Sequence, residues 1–224
     1  FNPGNGFCIC HSQDESTKFL VDPWVVSKAF GNGWLPPVHT EDCEKFIKSL
    51  GNINFILITH IHEDHFDLNF LKFFSGTSTM ILFPKVFGWK LLVKYAREIG
   101  IIDQIRLVDF DETILLCGLE VNAIPSMNCG KVHEKDTLSD HPISIDAGFL
   151  VTEPDAHRVA FMADNNPYNS ESVKDYFSHS GKLDLFCISH SGFASDYPFN
   201  YSYSKKICID KYNELESSRQ SKQL

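Results

Sequence analysis

The sequence predicts an α/β fold in which two sheets lie between outer helices. Three observations predict it. Short apolar runs alternate with segments of helical periodicity along the whole 224-residue chain. One of these runs, Asn54–Thr59, is continuously apolar between its ends, as a strand covered on both faces requires. An apolar content of 43%, with 19 Phe, is enough for a substantial core and excludes a disordered or fibrous chain.

The elements follow in order. Gly6–Cys10 and Lys18–Val21 read as strands, followed by a Gly-, Pro- and Trp-rich loop from Asp22 to Thr40. Glu41–Leu50 carries Phe46, Ile47 and Leu50 at helical spacing. After the Asn54–Thr59 strand come a short helix, Leu68–Phe74, a strand, Thr79–Phe83, and a helix, Val86–Ile99. Strands are expected at Ile105–Val108, Glu112–Leu116 and Leu119–Ile124, then a polar loop from Ser126 to about Ser144. Gly148–Thr152, Val159–Met162 and Leu183–Ser189 complete the strands, and Ser170–Phe177 and Ser204–Ser218 the helices. The chain 1–224 reads as a single domain of two halves that split near residue 110.

A formal net charge of −9 carries no basic footprint, so no nucleic-acid partner is expected. Seven cysteines at irregular spacing do not make a disulfide framework, and several sit in apolar runs. A reducing, cytoplasmic compartment is the expectation. No run approaches the ~20 apolar residues of a membrane span, and no signal-peptide pattern is visible. Oligomeric state is not legible.

The chemistry concentrates in Thr59-His60-Ile61-His62-Glu63-Asp64-His65-Phe66-Asp67, directly after a buried strand. Three imidazoles and three carboxylates in nine residues are costly unless they pair with something, and a cation is the natural partner. Imidazole and carboxylate suit zinc and iron. On an extended strand end, His60 and His62 point the same way and can grip one ion, while Asp64 and His65 lie where the chain turns toward a second position.

His60-x-His62-x-Asp64-His65 resembles the signature of the metallo-β-lactamase superfamily, whose fold is a four-layer αββα sandwich. The resemblance implies two divalent metal ions, zinc first among them, with iron or manganese as alternatives. It implies a bridging Asp at the end of a strand, for which Val159–Asp164 supplies Asp164, and a strand-terminal His in the second site, for which His190 is the candidate. The family's remaining ligand is a His on a loop ahead of the bridging Asp. Here Asn128 stands where that His is expected, so either His133, ranked slightly ahead, or His141 supplies the ligand, or the first site is weak. By the same analogy Asp22 and Trp24 lie near the site and orient ligands or line the pocket. Trp34, in the loop Phe30–Pro37, packs on an apolar part of the substrate. For Asp22 a plain turn role before Pro23, and for Trp34 plain core packing, carry equal weight. His11, His39, His157 and His179 read as surface or packing residues.

Leu20-Val21-Asp22-Pro23-Trp24, Ala29–Trp34 and His190–Pro198 are further similar to the metallo-β-lactamase-like part of CMP-N-acetylneuraminate hydroxylase and to lactonase-like proteins of ascorbate metabolism. The chain lacks the Cys-x-His and Cys-x-x-His pair of a Rieske module; Cys8-Ile9-Cys10-His11 does not supply it. That branch also begins a strand earlier and continues past the last helix, so a short protein and a piece of a longer one are both open. The implied activity is hydrolysis of an ester, lactone or phosphodiester-type small molecule by metal-activated water, with Asp64 as proton acceptor. A di-iron oxygenase or oxidoreductase and a non-catalytic, metal-stabilised binding module are the rival classes.

Overall fold

The computed structural model describes residues 8–36, 43–86, 88–110, 112–125, 147–154, 157–164, 177–178 and 181–188. Within them, strands β1 (Cys8–His11), β2 (Lys18–Val21), β3 (Phe55–Leu57), β4 (Met80–Pro84) and β5 (Ile105–Val108) form the first sheet in that order. β1 runs antiparallel to β2, and β2 to β5 are parallel. The second sheet has the order β10-β9-β8-β7-β6, from β6 (Thr113–Leu116), β7 (Leu119–Pro125), β8 (Ala147–Thr152), β9 (Arg158–Phe161) and β10 (Leu185–Cys187). Its pairings are antiparallel except β9 with β10. The chain passes from one sheet to the other between Val108 and Thr113.

Alternation along the strands builds the layers. Phe19, Val21, Phe55, Leu57 and Leu82 of the first sheet meet Leu119, Val121, Phe149, Val151 and Phe161 of the second in one buried cluster. Phe19 stacks on Phe55 at 4.7 Å and meets Phe161 edge-on at 6.1 Å, which ties the sheets together at that point. The intervening residues Leu20, Ile56, Ile58, Ile81 and Phe83 face the other way, under a layer of helices. That layer comprises α1 (Cys43–Leu50), α2 (Leu68–Leu71), which tightens into a 3₁₀ turn over Lys72–Phe74, and α3 (Trp89–Glu98). The far face of the second sheet carries Ile124, Leu150, Ala160 and Met162, against which Phe177, Leu183 and Ile188 pack.

The helix expected from Val86 begins later, at Trp89. Gly88 is the reason: it caps the helix at φ +88°, and a side chain there would come within 2.3 Å of Ile61. The strand ends differ from expectation by one or two residues, the usual fraying of a boundary. The expected helix Ser204–Ser218, the loop from Ser126 to Ser144 and most of the helix Ser170–Phe177 lie outside the described residues.

Candidate metal centre

Parallel strands deliver their following residues to one end of a sheet. Asp22 leaves β2 there and Thr59–His65 leaves β3, while Asp164 follows β9 from the other sheet. Both carboxylates sit at strained turns. Asp22 itself has φ +45°, and Ala163, just before Asp164, has φ +47°. Non-glycine residues in this region persist only where their surroundings hold them.

Asp22 is fully buried and fully bonded. Its Oδ1 accepts from the Thr59 amide at 2.8 Å, and its Oδ2 accepts from the Thr59 hydroxyl at 2.7 Å. The same Oδ2 lies 3.0 Å from His65 Nδ1, and Thr59 Oγ1 lies 3.0 Å from His60 Nδ1. Two imidazoles are thus oriented from behind by one carboxylate and one hydroxyl, leaving their Nε2 atoms directed forward. Asp22 is therefore both things the sequence left open, a turn residue and an orienting one.

In front, His60 Nε2 lies 2.8 Å from His62 Nδ1 and 3.7 Å from Asp164 Oδ2. One ligand atom each from His60, His62 and Asp164 fall within 4.8 Å of one another, a spacing one ion can bridge. His65 Nε2, buried and without a hydrogen-bond partner among the described residues, lies 3.5 Å from Asp164 Oδ1 and 3.6 Å from Asp64 Oδ2. Asp164 thus stands between the His60 and His65 rings, whose centroids are 4.3 Å apart. A buried ring nitrogen facing two carboxylates just beyond hydrogen-bonding range fits a cation of the borderline class.

The protonation equilibria reflect this crowding. Burial and the neighbouring His65 and His62 push His60 down to about 2, so it stays neutral and able to ligate. Burial works against a charge on His65, but the carboxylates of Asp22, Asp164 and Asp64 together outweigh it and hold its pKa well above the ordinary value. Burial raises the Asp64 carboxyl. It also pushes Asp164 up, yet His65 and His60 hold that carboxyl well below the usual range.

A second carboxylate, Asp67, carries the loop beside the site. Its Oδ2 accepts from the amides of Val25, Val26 and Ser27 at 3.0, 2.6 and 2.9 Å. Its Oδ1 accepts from the Ser27 hydroxyl at 2.5 Å and from Phe70 N at 3.2 Å, capping α2. Neither this clamp nor the part played by Thr59 was read from the sequence. An Asp immediately ahead of the Leu68 helix was the available signal for the cap, whereas the reach to residues 25–27 had none.

Trp24 is 2% exposed and its indole N–H donates to the Ser27 carbonyl at 2.6 Å, which places it in the packing beneath this loop. Trp34 is half-buried. Its backbone pairs with Ala29 in a tight hairpin that presents Phe30, at φ +51° and 46% exposed. The Phe30 ring packs edge-on against Trp34 at 5.1 Å and lies 6.4 Å from His62. The Phe30 amide donates to the Glu63 carboxylate, so a residue inside the His-rich run holds the hairpin. His133, His141, Asn128 and His190 lie outside the described residues. His157 is exposed, as expected of a surface residue.

No protein-family model matches the chain. Among solved structures, the diiron β-hydroxylase CmlA from Streptomyces venezuelae superimposes with a TM-score of 0.58 at 23% identity, over 83% of this chain and 33% of that one. A protein from Veillonella parvula described as a possible metal-dependent hydrolase superimposes with a TM-score of 0.54 at 17% identity, over 78% of this chain and 65% of the other. These superpositions match the two-sheet α/β architecture. The chain has the metallo-β-lactamase fold. In sequence it is 23% identical over 202 residues to a UPF0173 metal-dependent hydrolase of Polynucleobacter asymbioticus, covering 87% of this chain and 65% of that protein. It is 28% identical over 203 residues to a Mycolicibacterium smegmatis protein provisionally described as a Rieske 2Fe-2S iron–sulfur protein, covering 88% of this chain and 34% of the other. The chain therefore spans about a third of one curated relative and just under two thirds of the other. Among the described residues no helix is long and apolar enough to cross a membrane.

Proposed function

We propose that the chain is a metal-dependent hydrolase of an ester, lactone or phosphodiester-type small molecule. The observation that carries this reading is the convergence of His60, His62 and Asp164 within ligand distance of one another, beside a His65 Nε2 that has no hydrogen-bond partner among the described residues. The similarity to a metal-dependent hydrolase supports it.

In this reading His60 and His62 hold a first divalent ion together with a loop histidine, His133 before His141. Asp64, His65 and His190 hold a second, with Asp164 shared. Zinc is the first candidate, iron and manganese the next. Such an ion supplies a water acidic enough to ionise near neutral pH and a positive charge opposite a developing oxyanion. The chain's own residues do the rest. Asp22 and Thr59 set the two ring orientations, Asp64 accepts the proton, and Phe30 with Trp34 offers an apolar wall for the substrate. Trp24 acts by packing under that wall.

The test is elemental analysis of purified protein beside His62→Ala, with hydrolysis of model esters, lactones and phosphodiesters. The expected result is about two metal equivalents in the wild type, fewer in the variant, and turnover that falls with them. Metal-free protein of unchanged stability overturns the proposal. The second reading, an oxygenase, is favoured by the superposition on a diiron hydroxylase. Iron in place of zinc, with O₂ uptake on turnover, selects it.

A further inference from the structure

The loop after β2 is fastened to the segment after β3 at two heights. At its base Asp67 takes the amides of Val25, Val26 and Ser27, and Asn69 Nδ2 donates to the Ser27 hydroxyl at 3.0 Å. Further out the chain doubles back. The Ala29 amide donates to the Trp34 carbonyl at 3.0 Å, the Trp34 amide to the Ala29 carbonyl at 3.1 Å, and the Gly33 amide to the Phe30 carbonyl at 3.2 Å. The reversal runs through Phe30, Gly31 and Asn32 at φ +51°, +65° and +67°. Glycine takes this region freely, whereas phenylalanine persists there only where its surroundings hold it. The hold comes from Glu63, 33 residues along the chain, whose carboxylate accepts from the Phe30 amide. Glu63 is exposed and stands between His62 and Asp64, yet it belongs to no ligand group among the described residues.

We propose that Glu63 is a positioning residue for substrate choice: through the Phe30 amide it fixes the ring beside His62, and the site thereby selects esters or lactones with an apolar acyl group larger than acetyl. The proposal rests on the hydrolase reading of the metal centre. The Phe30 ring is 46% exposed, edge-on to Trp34 at 5.1 Å and 6.4 Å from the His62 ring. Whatever packs on it lies next to the atoms that His62 faces, so the contact is made by a group attached at the reacting carbonyl carbon and not by a remote tail. An apolar group gains by leaving water for that surface, whereas a polar one is desolvated against a ring. The held amide and the ring belong to one residue, so releasing the amide displaces the ring directly. The base of the loop, kept by the buried Asp67, stays where it is.

The test compares the full chain with Glu63→Ala, Glu63→Gln, Phe30→Ala and the Glu63→Ala/Phe30→Ala double variant. Hydrogen–deuterium exchange follows the hairpin, and kinetics are measured on para-nitrophenyl acetate and para-nitrophenyl butyrate. Both side chains are exposed, so the variants keep the fold. In Glu63→Ala the hairpin amides are expected to exchange roughly 3- to 10-fold faster, the loss of one hydrogen bond to a charged acceptor. KM for the butyrate rises by a similar factor, KM for the acetate changes little, and the loss falls on KM rather than kcat. Glu63→Gln, which keeps an acceptor oxygen, restores most of both. The double variant shows the butyrate penalty of Phe30→Ala alone, because the carboxylate acts through that ring. Metal content stays at the wild-type value. Unchanged hairpin exchange in Glu63→Ala, an additive double variant, or an equal penalty for acetate and butyrate overturns the proposal. Loss of metal in Glu63→Ala overturns it too, since the carboxylate would then serve the ion. If the wild type turns over neither ester while its metal is present, the hydrolase reading falls and takes the substrate preference with it, whereas hairpin exchange still decides whether Glu63 holds Phe30.

Discussion

Two tiers of carboxylates, Asp22 with Asp67 and Asp64 with Asp164, surround the same histidine-rich turn, and they are treated oppositely. In the lower tier Asp22 and Asp67 are buried and saturated, each accepting several hydrogen bonds from amides and hydroxyls at 2.5 to 3.2 Å. In the upper tier Asp64 and Asp164 are oriented toward histidine nitrogens that remain 3.5 to 3.7 Å away. The residue type is the same; Asp164 is the one partly exposed member, with 32% of its side chain open, and the rest of the difference lies in the donors. The lower carboxylates meet backbone N–H groups, which the fold positions at no cost in side-chain entropy. The upper ones meet imidazoles that are themselves held from behind, at a separation that leaves space for something else. A saturated carboxylate builds structure; one set back from its partners is suited to hold a cation.

The largest effect should come from breaking the saturated tier. Asp67→Ala leaves three loop amides, the Ser27 hydroxyl and the cap of α2 without their acceptor. At ~1–3 kcal/mol for each buried donor left unsatisfied, the loss is about 4 kcal/mol or more, read as a shifted urea midpoint. Asp22→Asn keeps the shape but removes the charge opposite His65. Metal affinity is expected to drop roughly 10- to 100-fold, measured by competition with a chromogenic chelator, with a smaller loss of stability. If Asp22→Asn instead unfolds the protein while metal binding in the survivors is normal, the two tiers are not functionally distinct.

Gly88→Ala tests the support beneath the upper tier from outside. Its Cβ would meet Ile61, between His60 and His62, at 2.3 Å and at a φ that disfavours alanine. A cost of about 1–3 kcal/mol is expected by thermal melting, together with weaker metal retention. Saturating the upper tier with metal should raise stability by about 2.7 kcal/mol at a ligand excess of ~100 times Kd, and chelator should reverse it. Asp164→Asn should abolish that increment and also lower the metal-free melting temperature near neutral pH, since the carboxylate that His65 and His60 favour is lost. The smallest effect belongs to the wall. Phe30→Ala is expected to change stability by less than ~0.5 kcal/mol, since the ring is 46% exposed, and to raise KM for apolar substrates without changing kcat.

The order of elements, the two-sheet α/β class and the position of the His-rich turn were legible because each rests on local chemistry. Periodicity marks which face is buried, and the run from His60 to Asp67 concentrates charge where an apolar strand ends. Asp164 was legible as a residue only by resemblance; its approach to His60 and His65 depends on a strand of the other sheet. The clamp from Asp67 to Val25, Val26 and Ser27 spans some forty residues of chain, and the Glu63 hold on the Phe30 hairpin spans a little over thirty. Trp24 and Trp34 look alike in sequence, and only packing separates the buried indole from the one that backs Phe30. What the sequence by itself determined is which residues carry ligand chemistry and where apolar faces point, since both are properties of neighbouring side chains. What only the tertiary structure decided is which carboxylates gather several amide and hydroxyl donors from distant segments and which stand opposite imidazoles, because those encounters depend on distances between segments that no local pattern encodes.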